Sequence, residues 1–254
     1  MRTFGLIGYP LGHSFSKRYF AEKFSAEGIS DARYELFPLE DIQEFPALLT
    51  RNPELRGLNV TIPHKQQVIP YLDELDETAA RIGAVNVIKF ADGKIIGYNS
   101  DYQGFMQALQ HFYPCYSPSQ ALILGSGGAS KAVQLVLEQL NIPFRVVARN
   151  PEAGQLHYSE LSAEIMNSCA LIVNTTPLGT FPHLDSCPPI PYEYLSSHHY
   201  LFDLVYNPEE TLFMRKGLAK GAKVKNGYEM LCLQAEVAWQ IWQGCQQAGA
   251  AFTD

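Results

Sequence analysis

The chain has 254 residues, enough for one large α/β domain or two modest ones with a proper core. Its 19 Lys and Arg against 26 Asp and Glu give a formal charge of -7, which disfavours nucleic acid or an anionic membrane as the main partner and leaves a small, locally bound anion open. No apolar run approaches the ~20 residues that span a bilayer, and the start lacks a basic, then apolar, then small-residue signal pattern, so the expected setting is the cytoplasm.

The first β-rich run, "RTFGLIGY" from Arg2, leads into "GYPLGHSFSKRYFAEKF", which turns at Pro10 and Gly12 and enters a predicted helix over Ser16 to Glu27. Ser14 and Ser16 stand at the mouth of that helix. Hydroxyls and free amides at a helix start suit a carboxylate, and a plain N-cap is the competing reading. A second strand, "ARYELFPL" from Ala32, and a helix over Asp41 to Leu49 follow.

The third strand runs through "LRGLNVTIP" into "GLNVTIPHK". Period-two alternation aims Asn59, Thr61 and Pro63 at one face and Val60 and Ile62 at the other. Lys65 then emerges at the carboxyl end of a strand, where open α/β sheets bind ligands. His64 is expected to point elsewhere, because adjacent residues do not share a face. A helix over Asp76 to Ile82 precedes two further strand ends: "GAVNVIKF" displays Asn86, and "IIGYNSDYQGF" displays Asn99 and Asp101 as a helix through Phe112 begins. A lysine and an aspartate at neighbouring strand ends can form an acid/base pair for alcohol oxidation. Burial of Lys65 would lower its pKa and Asp101 nearby would raise it; Asp101 can equally cap its helix.

The segment Tyr113 to Ser119 holds two prolines and two serines and marks a domain boundary. Beyond it, "ALILGSGGASKAVQLVLEQL" reads as strand, glycine turn and helix, the last over Ser130 to Leu140. Gly125, Ser126, Gly127, Gly128 and Ala129 let backbone amides approach a pyrophosphate at the helix start, and Ser130 stands where a third glycine is expected. The next strand, "FRVVARN", ends in Arg149 and Asn150 rather than a carboxylate. A guanidinium suits a 2′-phosphate, which points to NADP; Glu152 lies late for a ribose acceptor and leaves NAD open. A third strand, "LIVNTTPLG", ends in a polar turn around Thr175 that either passes the nicotinamide end of the cofactor or is an ordinary strand exit. The strands "YLFDLV" and "AKVKN" and helices over Thr211 to Lys220 and Gly227 to Gln247 complete the chain. On the last helix Leu231, Ala235, Ala238 and Trp242 make an apolar stripe flanked by Gln234, which needs a partner if it faces inward. The alternation of strands and helices implies a mainly parallel sheet, with no internal repeat. Five cysteines, Cys115, Cys169, Cys187, Cys232 and Cys245, are odd in number and never spaced C-x-x-C, so neither a disulfide framework nor a metal site is indicated.

Together "GHSFSK", "GLNVTIPHK", "GAVNV", "GYNSDYQGF", "GSGGASKAV", "VNTTPLG", "DLVYNP" and "NGYEMLCLQA" resemble, in order, the shikimate dehydrogenase family, from Gly5 to the last helix. The resemblance implies an α/β enzyme of two domains: a substrate domain over 1–112 plus 228–254, to which the last helix returns, and a Rossmann-type NADP domain over 113–227. It implies NADPH-dependent interconversion of 3-dehydroshikimate and shikimate on the route to aromatic amino acids, by a monomer or homodimer. Ser14, Ser16 and Tyr206 would hold the substrate carboxylate; Thr61, Asn86, Asp101 and Gln234 its hydroxyls, with Asn59 on the same strand face. Lys65 would be the acid/base, assisted by Asp101, while the nicotinamide exchanges hydride. Gly125 to Ser130, Arg149, Leu204, Gly227 and Glu77 would meet the cofactor. The family's Asn-Arg-Thr is replaced by Ala148-Arg149-Asn150, followed by Pro151-Glu152-Ala153-Gly154, which lowers the expected preference for NADP. The same stretch, to Ser159, is too short and too rich in Pro and Gly for a full crossover helix. A quinate-accepting relative that also uses NAD, and a non-catalytic dinucleotide sensor, are the rival readings. Domain closure is expected to hinge near Tyr113 to Ser119 and Gly227.

Overall fold

Alternating apolar residues build two six-stranded sheets, each in its own compact unit. The computed structural model describes residues 1–12, 14–113 and 119–244. Most of the expected linker, together with Cys115 and Cys245, lies outside the described residues.

The first unit comprises Met1–Ser100 and Gln234–Asp254. Its strands are β1 (Arg2–Gly8), β2 (Ala32–Pro38), β3 (Leu55–Val60), β4 (Glu74–Leu75), β5 (Val87–Ala91) and β6 (Lys94–Tyr98), in the spatial order β2-β1-β3-β5-β6-β4. β1 pairs parallel with β2 and β3, whereas β5 runs antiparallel to both β3 and β6. Asp92 and Gly93 join β5 to β6 with positive φ at both positions, the geometry of a tight two-residue hairpin that "ADGK" encodes. The helices α1 (Phe15–Ala26), α2 (Phe45–Arg51) and α3 (Glu77–Ile82) cover the faces.

Period two sorts the side chains. On one face Phe4 and Leu6 pack with Phe20, Phe24, Tyr34, Trp239 and Trp242; on the other Ile7, Leu58, Val60 and Ile88 pack with Phe45, Val68, Ala79 and Val85. Each such large apolar side chain contributes about 1.5–3 kcal/mol by leaving water. Trp242, on the last helix, also donates its indole N–H to Ile88 O at 2.9 Å, which ties the chain's end to the middle of the first sheet.

The second unit, Asp101–Leu233, holds β7 (Gln120–Leu124), β8 (Phe144–Ala148), β9 (Leu156–His157), β10 (Cys169–Asn174), β11 (Tyr200–Asp203) and β12 (Lys223–Lys225), all paired parallel. Their order β12-β11-β10-β7-β8-β9 is the doubly wound 3-2-1-4-5-6 arrangement, with its switch point between β7 and β10. Residues between Asn150 and Ser159 form no α-helix; β9 and a turn of 3₁₀ helix at Tyr158–Glu160 take its place.

Two helices run across the division. α4 (Ser100–Phe112) buries Phe105, Met106, Ala108 and Leu109 with Ile123, Val133 and Phe202 of the second unit, and α8 (Tyr228–Gln243) begins with Met230 and Leu233 against that same cluster. Packing therefore divides the chain after Ser100 and after Leu233, whereas turn-forming residues mark positions 113–119 and 227. The remaining helices, α5 (Gly128–Gln139), α6 (Ala163–Ser168) and α7 (Leu212–Leu218), belong to the second unit.

Candidate functional site

In the first unit, hydrogen bonds tie together several of the polar residues singled out in the sequence, Ser16, Asn59, Asn86 and Gln234. Asn59 is buried at the end of β3, where Tyr34 of β2 donates its hydroxyl to Asn59 Oδ1 at 2.8 Å. The same phenol is bonded to the Ser16 hydroxyl, and burial pushes its pKa up. Asn59 Nδ2 donates to Asn86 O at 3.3 Å, and Val60 N–H donates to that carbonyl at 2.9 Å. Asn86 in turn accepts from Ser100 N at 2.7 Å on Oδ1 and donates to Ser100 Oγ at 3.0 Å, and Ser100 Oγ donates to Gln234 Oε1 at 3.3 Å. The inward glutamine thus has the partner its position demands.

Ser14 is the N-cap of α1 and accepts from Lys17 N at 3.4 Å, so the capping role read in the sequence is present. β3 stops at Val60, and the chain turns at once: Thr61 N–H donates to Ile7 O and His64 N–H to Thr61 O, both at 2.9 Å. Ile62 is therefore 69% exposed instead of sharing the buried face with Val60. The turn sends His64 inward. It is fully buried, with Nε2 2.6 Å from Leu39 O and Nδ1 2.9 Å from Gln67 Oε1, a structural histidine. Lys65 is half-buried, and its carbonyl accepts Val85 N–H at 2.7 Å, which fixes it one residue from Asn86 in register. Glu77 is exposed in the first turn of α3, beside the N-cap Asp76.

In the second unit the glycine turn lies at the switch point. Gly125 has φ +109°, and a Cβ there would come within 2.8 Å of Thr175 Oγ1, so the position requires glycine. Thr175 donates from both N (2.9 Å) and Oγ1 (2.8 Å) to Leu124 O, stitching the exit of β10 to that of β7. Ser126 and Gly127 are exposed, and open space surrounds the Cβ position of Gly127, the N-cap of the twelve-residue α5. A helix start so uncluttered fits a dinucleotide pyrophosphate. Ser130 is fully buried, its hydroxyl accepting from Gln134 Nε2 at 3.1 Å, so it serves the helix packing that a third glycine would otherwise allow. Arg149 and Asn150 are exposed directly after β8. Gly227 lets its backbone cross that of Leu204 too closely for any side chain, which brings those two expected cofactor residues together. Asp101 is buried in the first turn of α4, and Tyr206 lies exposed in the loop after β11.

The family model described as the shikimate dehydrogenase substrate binding domain matches residues 6–88. A protein named shikimate dehydrogenase (NADP(+)) from Desulforamulus reducens is 36% identical over an alignment covering 94% of this chain and 89% of its own. The chain belongs to the shikimate dehydrogenase family. Solved structures agree with that membership: shikimate dehydrogenase from Aquifex aeolicus gives a TM-score of 0.87 at 32% identity, covering 96% of this chain and 93% of that one. The enzyme from Thermus thermophilus, solved in complex with NADP(H) and shikimate, gives 0.84 at 31% identity, covering 96% and 94%.

As a shikimate dehydrogenase family member the chain carries polar residues that sequence reading passed over: Tyr34, Ser100, Asn174, Asp203 and Thr211. Ser100 and Asn174 stand inside recognisable motifs, yet period-two alternation says only which face a residue takes, not which buried group it will meet. Asp203 is 0% exposed at the end of β11, and burial outweighs three hydrogen bonds to push its carboxyl up to about 6 from the ordinary 3.8. A folded pKa above the unfolded one gives a stability contribution that is full below pH 3.8 and is lost as pH rises through about 6. Relative to Asp203→Asn, the parent protein should therefore lose about 3 kcal/mol between about pH 4 and pH 7. Urea unfolding of both proteins across that range measures it; parallel curves would remove the titration.

Proposed function

We propose that this chain catalyses the reversible NADPH-dependent reduction of 3-dehydroshikimate to shikimate, a step of aromatic amino acid biosynthesis. The observation that carries the reading is the buried relay of hydroxyls and amides from Ser16 and Tyr34 through Asn59 and Asn86 to Ser100 and Gln234. Such groups match a small ring bearing several hydroxyls and a carboxylate, because each substrate hydroxyl both donates and accepts. In this reading Ser14, Ser16 and Tyr206 take the carboxylate, and Asn59, Thr61, Asn86 and Gln234 take hydroxyls.

NADPH, when bound, supplies the hydride. The glycine turn Gly125–Ser130 holds its pyrophosphate, Arg149 and Asn150 its 2′-phosphate, and Thr175, Leu204, Gly227 and Glu77 its nicotinamide half. Lys65, as an ammonium, polarises the ketone oxygen and gives it a proton in the reductive direction; in the oxidative direction it takes the hydroxyl proton, and Asp101 shares in holding that hydroxyl. In this reading most of the substrate-holding residues belong to the first unit and most of the cofactor-holding ones to the second. A cytoplasmic enzyme, monomeric or dimeric, is consistent with Cys169, Cys187 and Cys232 being thiols.

The relay gives a direct expectation. Tyr34→Phe removes one hydroxyl between Asn59 and Ser16 and leaves their polar atoms short of a partner, so KM for shikimate should rise about 5- to 50-fold with kcat little changed. Steady-state kinetics checks it, and an unchanged KM would take Tyr34 out of the site.

The run Asn150-Pro151-Glu152 favours a second reading, an enzyme that accepts quinate and NAD as well, since a carboxylate follows the phosphate-binding arginine closely. Initial rates with shikimate and quinate, each with NADP and NAD, separate the two. Preference for shikimate with NADP supports the proposal, and equal rates with quinate and NAD overturn it in favour of the broader enzyme.

A further inference from the structure

Among the described residues, Asp203 is the most buried carboxylate that the proposed chemistry leaves unused. Its Oδ1 accepts from Asn174 Nδ2 at 2.9 Å and from Val205 N at 3.0 Å, and its Oδ2 accepts from Thr211 Oγ1 at 2.6 Å. All three donors are neutral: an amide, a backbone N–H and a hydroxyl. An ionised carboxylate only accepts, so it dictates which way the Asn174 amide points. With Nδ2 committed to Asp203, Asn174 Oδ1 is turned to accept from Thr176 N at 3.0 Å and Thr176 Oγ1 at 2.7 Å, and Thr176 Oγ1 accepts from Leu178 N at 3.3 Å. One carboxylate therefore sets the course of two chain segments, 174–178 after β10 and 203–211 after β11. The segments are joined again where Leu204 N–H donates to Asn174 O at 2.9 Å and Phe181 N–H to Asn207 O at 3.1 Å. Thr175 extends the connection to the glycine turn through Leu124 O.

We propose that Asp203 is a positioning residue for cofactor binding: through Asn174 and Thr211 it holds the loops that present Thr175, Leu204 and Tyr206 in their binding conformation. The proposal rests on the functional reading above, in that it takes the ligand of these loops to be NADPH. An acceptor oxygen is suited to this task because a flipped Asn174 would set its carbonyl against Asp203 Oδ1, so the arrangement has one low-energy form.

The test measures NADPH binding to the free protein by fluorescence titration, alongside thermal unfolding and turnover of 3-dehydroshikimate. In Asp203→Ala, Kd for NADPH is expected to rise about tenfold or more, because three donors are left without an acceptor and the loops relax. Asp203→Asn keeps an oxygen for Asn174 and Val205 and should restore Kd to within about threefold of the parent. A folded Asp203→Ala protein that binds NADPH within about twofold of the parent overturns the proposal. So does an Asp203→Asn protein as weak as Asp203→Ala, since shape and acceptor would then not be what matters. If Asp203→Ala fails to fold, Thr211→Val decides: a rise of about threefold supports positioning, and an unchanged Kd overturns it. Binding without turnover in the parent would instead count against the proposed activity and leave this result readable.

Discussion

Replacing Lys65 by Met lowers kcat for shikimate oxidation by about 10²- to 10⁴-fold, the contribution expected of a positioned general acid/base, while KM stays within about threefold. Methionine keeps the length and apolar stem of lysine and removes only the ammonium, so the loss reports on the proton step rather than on packing. The backbone supports this separation: the Lys65 carbonyl is already committed to Val85 N–H, and His64 beside it anchors the turn with both ring nitrogens, so neither depends on the Lys65 head group. Pre-steady-state and steady-state rates with shikimate and NADP measure the effect. Near-normal turnover would remove Lys65 from the mechanism. An equal rise in KM and fall in kcat/KM at constant kcat would make it a binding residue instead.

Arg149→Gln weakens NADPH binding by about 10- to 100-fold and leaves NADH binding nearly unchanged, which collapses the preference between the two cofactors. A guanidinium can pair two N–H groups with one phosphate, and charged hydrogen bonds of this kind contribute about 1.5–3 kcal/mol. The residue is exposed directly after β8 and makes no ion pair among the described residues. Titration with each reduced dinucleotide at two salt concentrations measures the effect, and the NADPH affinity of the parent should fall as salt rises. Equal losses for both cofactors would show that Arg149 shapes the turn rather than reads the phosphate.

Much of the architecture was legible because it follows from short-range physics. Apolar alternation located the long strands, and Ser14 and Asp76 marked helix starts through capping. What was not legible depended on long-range packing. The antiparallel pairing of β5 with β6 came from the Asp92-Gly93 turn, a two-residue signal easily lost between strands, and no local marker sets β5 antiparallel to β3. The ends of α4 and α8 went with the core that buried more of their apolar surface, which no local marker records. The site divided in the same way. Lys65, Asn86 and Gly125 stand out as candidates by their residue types and strand-end positions. Tyr34 and Ser100 were missed: one stands inside an ordinary-looking β-rich run, the other in a motif read for its neighbours Asn99 and Asp101, and each matters through a partner 25 and 14 residues away in the chain. Ser130 illustrates the converse, since a residue at a motif position turned out to be occupied by helix packing.

The most direct test of the central claim is the absorbance of the reduced nicotinamide of NADPH after purified protein is mixed with 3-dehydroshikimate. The account predicts stoichiometric loss of NADPH with formation of shikimate, and no loss when the ketone is left out. Tight binding of NADPH with no oxidation in the presence of 3-dehydroshikimate would contradict it and leave a dinucleotide-binding protein without this chemistry.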